Sequence, residues 1–174
     1  MNSLIGAVFG LVYVLVNAGK LPDVPATVLR IAAILAFVAV YLAIRKVPAD
    51  EDDDEPAGPG FGRRYWLIVI AEIAAIFIGL AVIAGPVHHE QASVAWISLV
   101  VGLHFFALAR LWEQPAFHVL GGLLTGCGLV GLVLALAGAG DAVVASVGGI
   151  IPGVVLLGAG WLGARATQYG SAVS

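Results

Sequence analysis

Six apolar runs, at about 3–18, 27–45, 65–84, 92–112, 117–137 and 143–163, take up most of this chain. A helix of about 20 apolar residues crosses the roughly 30 Å hydrocarbon core of a bilayer. In that medium every backbone polar group must be paired internally, which leaves helices and closed barrels as the spanning structures. A barrel would show strands of about ten residues alternating apolar with polar, and no such alternation is present. The expectation is an all-α integral membrane bundle of six transmembrane helices, forming one membrane domain over residues 1–174. Composition agrees: 11% of the residues are charged, against about 25% in soluble domains.

The first run ends in Val16-Asn17-Ala18, which resembles a signal-peptide cleavage site, but Met1-Asn2-Ser3 offers no basic segment before it. It reads as a retained helix. The single cysteine, Cys127, excludes a disulfide within the chain. Six of the eleven acids are consecutive, Asp50 to Glu55, in a stretch that also carries Pro48, Pro56 and Pro59. Residues 47–64 are therefore expected to form a disordered acidic cytoplasmic loop, too polar to offset their ordering entropy. A calcium loop is excluded there, because its sixth and twelfth positions, Glu55 and Phe61, are not the required Gly and Glu.

With six spans, Arg45, Lys46, Arg63, Arg64, Arg110 and Arg165 share one side and Lys20 and Arg30 the other. The positive-inside rule then places both termini in the cytoplasm. Tyr41, Tyr65, Trp66, Trp112, Trp161 and Tyr169 fall near that same side, as an interfacial belt. Ala18-Gly19, Ala84-Gly85 and Ala139-Gly140 recur at the exits of the odd runs, and Arg45, Arg110 and Arg165 close the even ones. The pattern suggests three helical-hairpin repeats, with each glycine taking the left-handed position of a helix end.

Between Gly121 and Gly163 there are thirteen glycines, among them Gly122 with Gly126 and Gly149 with Gly153 at four-residue spacing. Such spacing lets helix backbones approach closely in lipid and gives helices five and six a route to oligomerisation. Pro152 is expected to kink the sixth helix. His88-His89-Glu90 reads as a hydrated turn, since adjacent histidines do not converge on one metal.

Glu72 stands well inside run three and His104 well inside run four. Such groups in hydrocarbon are costly and mark functional sites by default. Each lies seven residues from the cytoplasmic boundary of its run, about 10 Å deep at 1.5 Å per residue, so the two are level on antiparallel neighbours. Gly79, two turns from Glu72, would permit close packing of those helices. Nearer the surface come Arg110, Glu113 and His118, and the five residues are a candidate proton or ligand cluster. Trp66, Phe105, Phe106 and Trp112 are candidate aromatics for a cavity around it. A simple ion pair fixing helix packing would explain the same residues.

Three functions are compatible with this cluster. The first is proton-linked transport of a small solute or ion. The second is an intramembrane enzyme acting on a lipid or isoprenoid, with Glu72 as general acid. The third is a structural or accessory subunit. Haem held by His104 and His118 is geometrically poor, because the two lie at different depths. No motif implies a cofactor or a metal, there is no basic face for nucleic acid, and no phosphate-cradling loop. The expected surroundings are the lipid bilayer and a small solute or lipid. In helix four, His104-Phe105-Phe106-Ala107-Leu108-Ala109-Arg110-Leu111, together with the Gly-rich hairpins that follow, resembles the small multi-helix inner-membrane proteins of bacteria. That resemblance implies a multi-pass protein of the bacterial inner membrane and brings no catalytic residues with it.

Overall fold

A computed structural model describes residues 2–46 and 62–171. Helices α1 (Asn2–Asn17), α2 (Asp23–Arg45), α3 (Arg63–Val82), α4 (Ala92–Leu111) and α5 (Pro115–Leu136) follow one another, and the sixth span is built from α6 (Asp141–Ala145) and α7 (Ile151–Ser171). There is no strand among the described residues. Six of the helical stretches are long and apolar enough to cross a membrane, so the protein is an all-α, multi-pass bundle. The acidic stretch expected to be disordered lies, over 47–61, outside the described residues, and the helix after it starts at Arg63, two residues earlier than its apolar run suggested.

Two wide turns interrupt the spans. Ile83–Val87 ends α3 and contains Pro86, while Ser146–Ile150 joins α6 to α7 just before Pro152. Both are π turns, a form that appears as single turns inside α-helices. At the second, Pro152 brings no N–H to the carbonyl of Gly148 four residues back. The hydroxyl of Ser98 on α4 donates to that carbonyl instead. A side chain from the neighbouring helix thus satisfies a backbone group that proline leaves short, as spanning helices commonly require. The break expected at Pro152 is a wide turn tied to α4.

The close helix pairs are α4 with α5 and α1 with α7, and these are tighter than the pairs within each hairpin. The three hairpins are therefore units of connectivity and not of packing. Half of the sixth span's apolar window is buried, against 6% for α3. Hence α1, α4, α5 and the sixth span form the body. On it, α2 rests against α1 and α7, and α3 rests chiefly against α4.

Small residues set these contacts. A Cβ on Gly153 would lie 2.8 Å from the Gly10 carbonyl, one on Gly149 would strike Asn17, and one on Gly131 would lie 2.8 Å from the Ala95 Cβ. On α5 the face that meets α4 is Gly121, Leu124 and Gly128, with a Cβ on Gly128 driven into the Leu99 backbone. Gly122 and Gly126, singled out by spacing, lie off this face: a Cβ on Gly126 would meet nothing and one on Gly122 only the rim of Phe106, at 3.9 Å. Two consecutive glycines offered two faces, and the buried Leu120 and Leu124 select the one beside them.

Gly19, Gly85 and Gly140 do not take the left-handed conformation expected of them. That position belongs to Gly138 (φ 78°), Glu113 (φ 53°) and His88 (φ 53°). At Gly138 the α5 carbonyls of Ala135 and Leu134 accept from the amides of Gly138 and Ala139, a Schellman end. The glycine of the third Ala-Gly motif falls two positions after its left-handed residue and that of the second three positions before His88, while no left-handed residue stands beside Gly19.

Candidate functional site

On α3 the surface facing away from α4 is apolar, with Leu67, Ile70, Phe77 and Ile78 all exposed. The opposite surface is fitted to α4 at three levels. Gly79 leaves a notch that the Trp96 indole fills. Trp96 Nε1 donates to the Ala75 carbonyl at 3.1 Å. One turn further in, Glu72 Oε2 lies 3.1 Å from His104 Nδ1. The side chains are 18% and 11% exposed respectively, so this pair is largely withdrawn from its surroundings. The expected equal depth of the two residues is thus accompanied by direct contact, and Gly79 permits it by letting the helices close up.

Nδ1 of His104 has no well-aligned hydrogen-bond donor or acceptor despite that separation. The short distance makes an electrostatic contact without an aligned hydrogen bond. A carboxyl O–H can donate to a neutral imidazole nitrogen, and an imidazolium N–H can donate to a carboxylate. Either arrangement holds one shared proton. Burial makes both charges expensive to maintain separately, which is why such a pair keeps together.

Other polar groups are buried in the body. Ser98 is fully buried, and the Tyr13 hydroxyl of α1 is buried as well. Tyr13 Oη makes no hydrogen bond of good geometry, and neither does Thr125 Oγ1, which is pressed against Gly102. Sequence reasoning passed over Tyr13 and Ser98. Neutral hydroxyl residues are ordinary in spanning helices, and only the packing of the body shows that these two are buried.

Arg110, Glu113 and His118 are not gathered. All three are exposed at the end of the bundle where α4 passes into α5. His118 makes a T-shaped contact with Phe106 at 6.1 Å. Glu113 is the left-handed residue that ends α4, with the Gln114 amide returning to the Ala109 carbonyl at 3.1 Å. Its role in the chain path is thus defined by its backbone.

The four aromatics do not enclose Glu72. Trp66 is 56% exposed on the outer face of α3. Trp112 stacks on Tyr65 at 5.8 Å and, with Phe105, contacts Phe117. They form a belt near one end, where Arg45 also lies over Tyr41 and Arg165 over Trp161. An apolar groove of about 480 Å³ runs between α2 and α7, bounded by Leu29, Val40, Leu157 and Trp161. It has no titratable lining and takes no residue from α3 or α4. The acid and the apolar space that a lipid-processing enzyme would combine are in different places.

A second cavity, of about 540 Å³, opens at the other end of the bundle, between the last turns of α1 and α3 and the first turns of α4 and α6. Asn17, Lys20, Glu90, Gln91 and Asp141 line it, and Lys20 Nζ reaches Asp141 Oδ2 at 3.3 Å across its rim. Comparison with protein-family models, curated proteins and solved structures finds no match to this chain.

Proposed function

We propose that this multi-pass protein moves protons, alone or coupled to a small solute or ion, across a bacterial inner membrane, with Glu72 and His104 as the loading site and both termini in the cytoplasm. The observation that carries this reading is the 3.1 Å contact between a carboxylate and an imidazole within spanning helices. An acid and a base so placed hold one proton jointly at no net charge, and can gain or lose one without rearranging the body. Ionisable residues at this depth are the groups that proton-moving membrane proteins use.

The experiment is proton flux in proteoliposomes. Flux is expected to fall to the level of protein-free vesicles in Glu72→Gln, which keeps the shape and the hydrogen-bonding amide but cannot take up a proton. Undiminished flux in that variant would remove Glu72 from the role. Infrared titration of the Glu72 carboxyl is expected to move when His104 is replaced by alanine, and an identical titration would dissolve the pair.

A structural reading is favoured by a specific observation: Trp96, Gly79 and Ala75 fasten the same two helices. In that case Glu72→Gln and His104→Ala would loosen α3 without any effect on flux. The lipid or isoprenoid enzyme is supported less, because the apolar groove and the acid are apart.

A further inference from the structure

The groove of about 480 Å³ between α2 and α7 follows from the side chains on its walls. Ala32, Ala36 and Ala39 line it from α2, at the spacing of three and four residues that puts them on one helix face. Across from them Gly158 has no side chain, and a Cβ there would meet nothing. Ala33, Val40 and Leu157 close the seam underneath, all three buried. Ala32, Ala36 and Gly158 are exposed, so the groove opens sideways to the surroundings of the bundle. An unfilled space costs its lining the dispersion contacts on one side, and in the hydrocarbon layer an acyl chain is the material that restores them.

Along α2 the groove runs from Leu29 to Val40, about 16 Å at 1.5 Å per residue. That is half of the roughly 30 Å hydrocarbon core, the depth of one leaflet. One end is marked by Val40 and Trp161. Just beyond it, Arg45 comes five residues after Val40 and Arg165 four residues after Trp161. Arg165 lies over the Trp161 ring at 4.6 Å, and Arg45 over the Tyr41 ring at 5.8 Å. Trp161 is thus both a wall of the groove and the rest for a cation. Both arginines are exposed, and neither has a carboxylate within ion-pair distance among the described residues. At the other end Arg30 is turned to α1, donating to the Leu15 carbonyl at 3.5 Å.

We propose that this groove binds an anionic phospholipid of the leaflet on the Arg45 side, with one acyl chain along Ala32, Ala36 and Gly158 and the phosphate between Arg45 and Arg165. A guanidinium presents its donors in a planar fork that matches phosphate oxygens. A zwitterionic phospholipid offers the same chain and phosphate but adds a cation that the two arginines repel, so a lipid of net negative charge is preferred. The site takes no residue from α3 or α4 and does not depend on Glu72 and His104 moving protons.

The test is binding of the first lipid to the full chain in detergent, followed by native mass spectrometry, for phosphatidylglycerol and phosphatidylcholine with the same acyl chains. Phosphatidylglycerol is expected to bind at least about fivefold more tightly. Arg45→Gln and Arg165→Gln are each expected to weaken it about fivefold, the contribution of one arginine near an anionic membrane surface, and to weaken phosphatidylcholine less. Arg110→Gln removes an exposed charge on α4, outside the groove, and is expected to change neither. Ala36→Leu combined with Gly158→Leu fills the groove from two exposed positions. It is expected to weaken both lipids at least about tenfold without lowering the unfolding midpoint of the lipid-free protein.

Equal affinity for the two lipids in the wild type would overturn the headgroup assignment, as would follow if the six acids from Asp50 to Glu55 occupied the arginines instead of a phosphate. A loss in Arg110→Gln as large as that in Arg165→Gln would reduce the preference to general surface charge. Unchanged binding in the filled variant would remove the chain from the groove, and should that variant not fold, the three arginine variants decide.

Discussion

Glu113 and Gly138 do the same conformational work, each ending a helix with a left-handed residue, but only one of them is glycine. An L-residue there costs roughly 1–2 kcal/mol. Glu113 is exposed, so Glu113→Gly is expected to stabilise the protein by about 0.5–1 kcal/mol, the gain being reduced by glycine's freedom when unfolded. Thermal unfolding in detergent measures it, and proton flux is expected to stay unchanged. Ser98 has the opposite character. Removing its hydroxyl in Ser98→Ala takes a donor from the Gly148 carbonyl and is expected to cost about 1–3 kcal/mol. Pro152→Ala supplies a backbone N–H four residues from that carbonyl, so the double variant is expected to lose less than the sum, by about 0.5–3 kcal/mol in a double-mutant cycle. At this scale the sequence made Glu72 and His104 conspicuous, because a charge in oil stands out wherever it faces. Tyr13 and Ser98 did not stand out, because a hydroxyl becomes informative only once its neighbours on other helices are known.

Among the elements, α5 separates glycines that pack from glycines that do not. Gly128→Ala drives a methyl into the α4 backbone at Leu99 and is expected to destabilise by about 1–3 kcal/mol, as overpacking does. Gly126→Ala meets nothing and is expected to stabilise by up to about 1 kcal/mol through helix propensity. Denaturation of the two variants side by side reads both signs. For α3, Trp96→Phe removes the bond to the Ala75 carbonyl and is expected to speed hydrogen exchange in α3 while leaving α1 and α7 as they were. The number and order of the spans could be read from the apolar runs, because length and hydropathy are properties of each segment alone. Which glycine of a pair meets a neighbour is a property of two segments, and the four-residue spacing at Gly122 and Gly126 fitted a face that the fold does not use.

The whole molecule places its long-range charge contact and its buried pair at different levels. Lys20 and Asp141 are 60% and 57% exposed and join the end of α1 to the start of the sixth span. Exposed pairs are worth about 0–1 kcal/mol, so Lys20→Ala is expected to change the unfolding midpoint little, and less still at high salt, in a salt titration of wild type and variant. The even number of spans, legible from the start, puts both chain ends on one side of the bundle. The division into body and attached helices was not legible, since α3 and the buried spans are equally apolar. That division has a mechanical result. With its other broad face apolar and unclasped, α3 can tilt on α4 at the cost of a few contacts, whereas displacing α4 would disturb α5 and the sixth span as well. His104 is mounted on the fixed side of that hinge and Glu72 on the loose one. Neutralising or charging the pair therefore changes the force on the least buried of the six described spans, and a local proton step acquires a lever arm about as long as the membrane is thick.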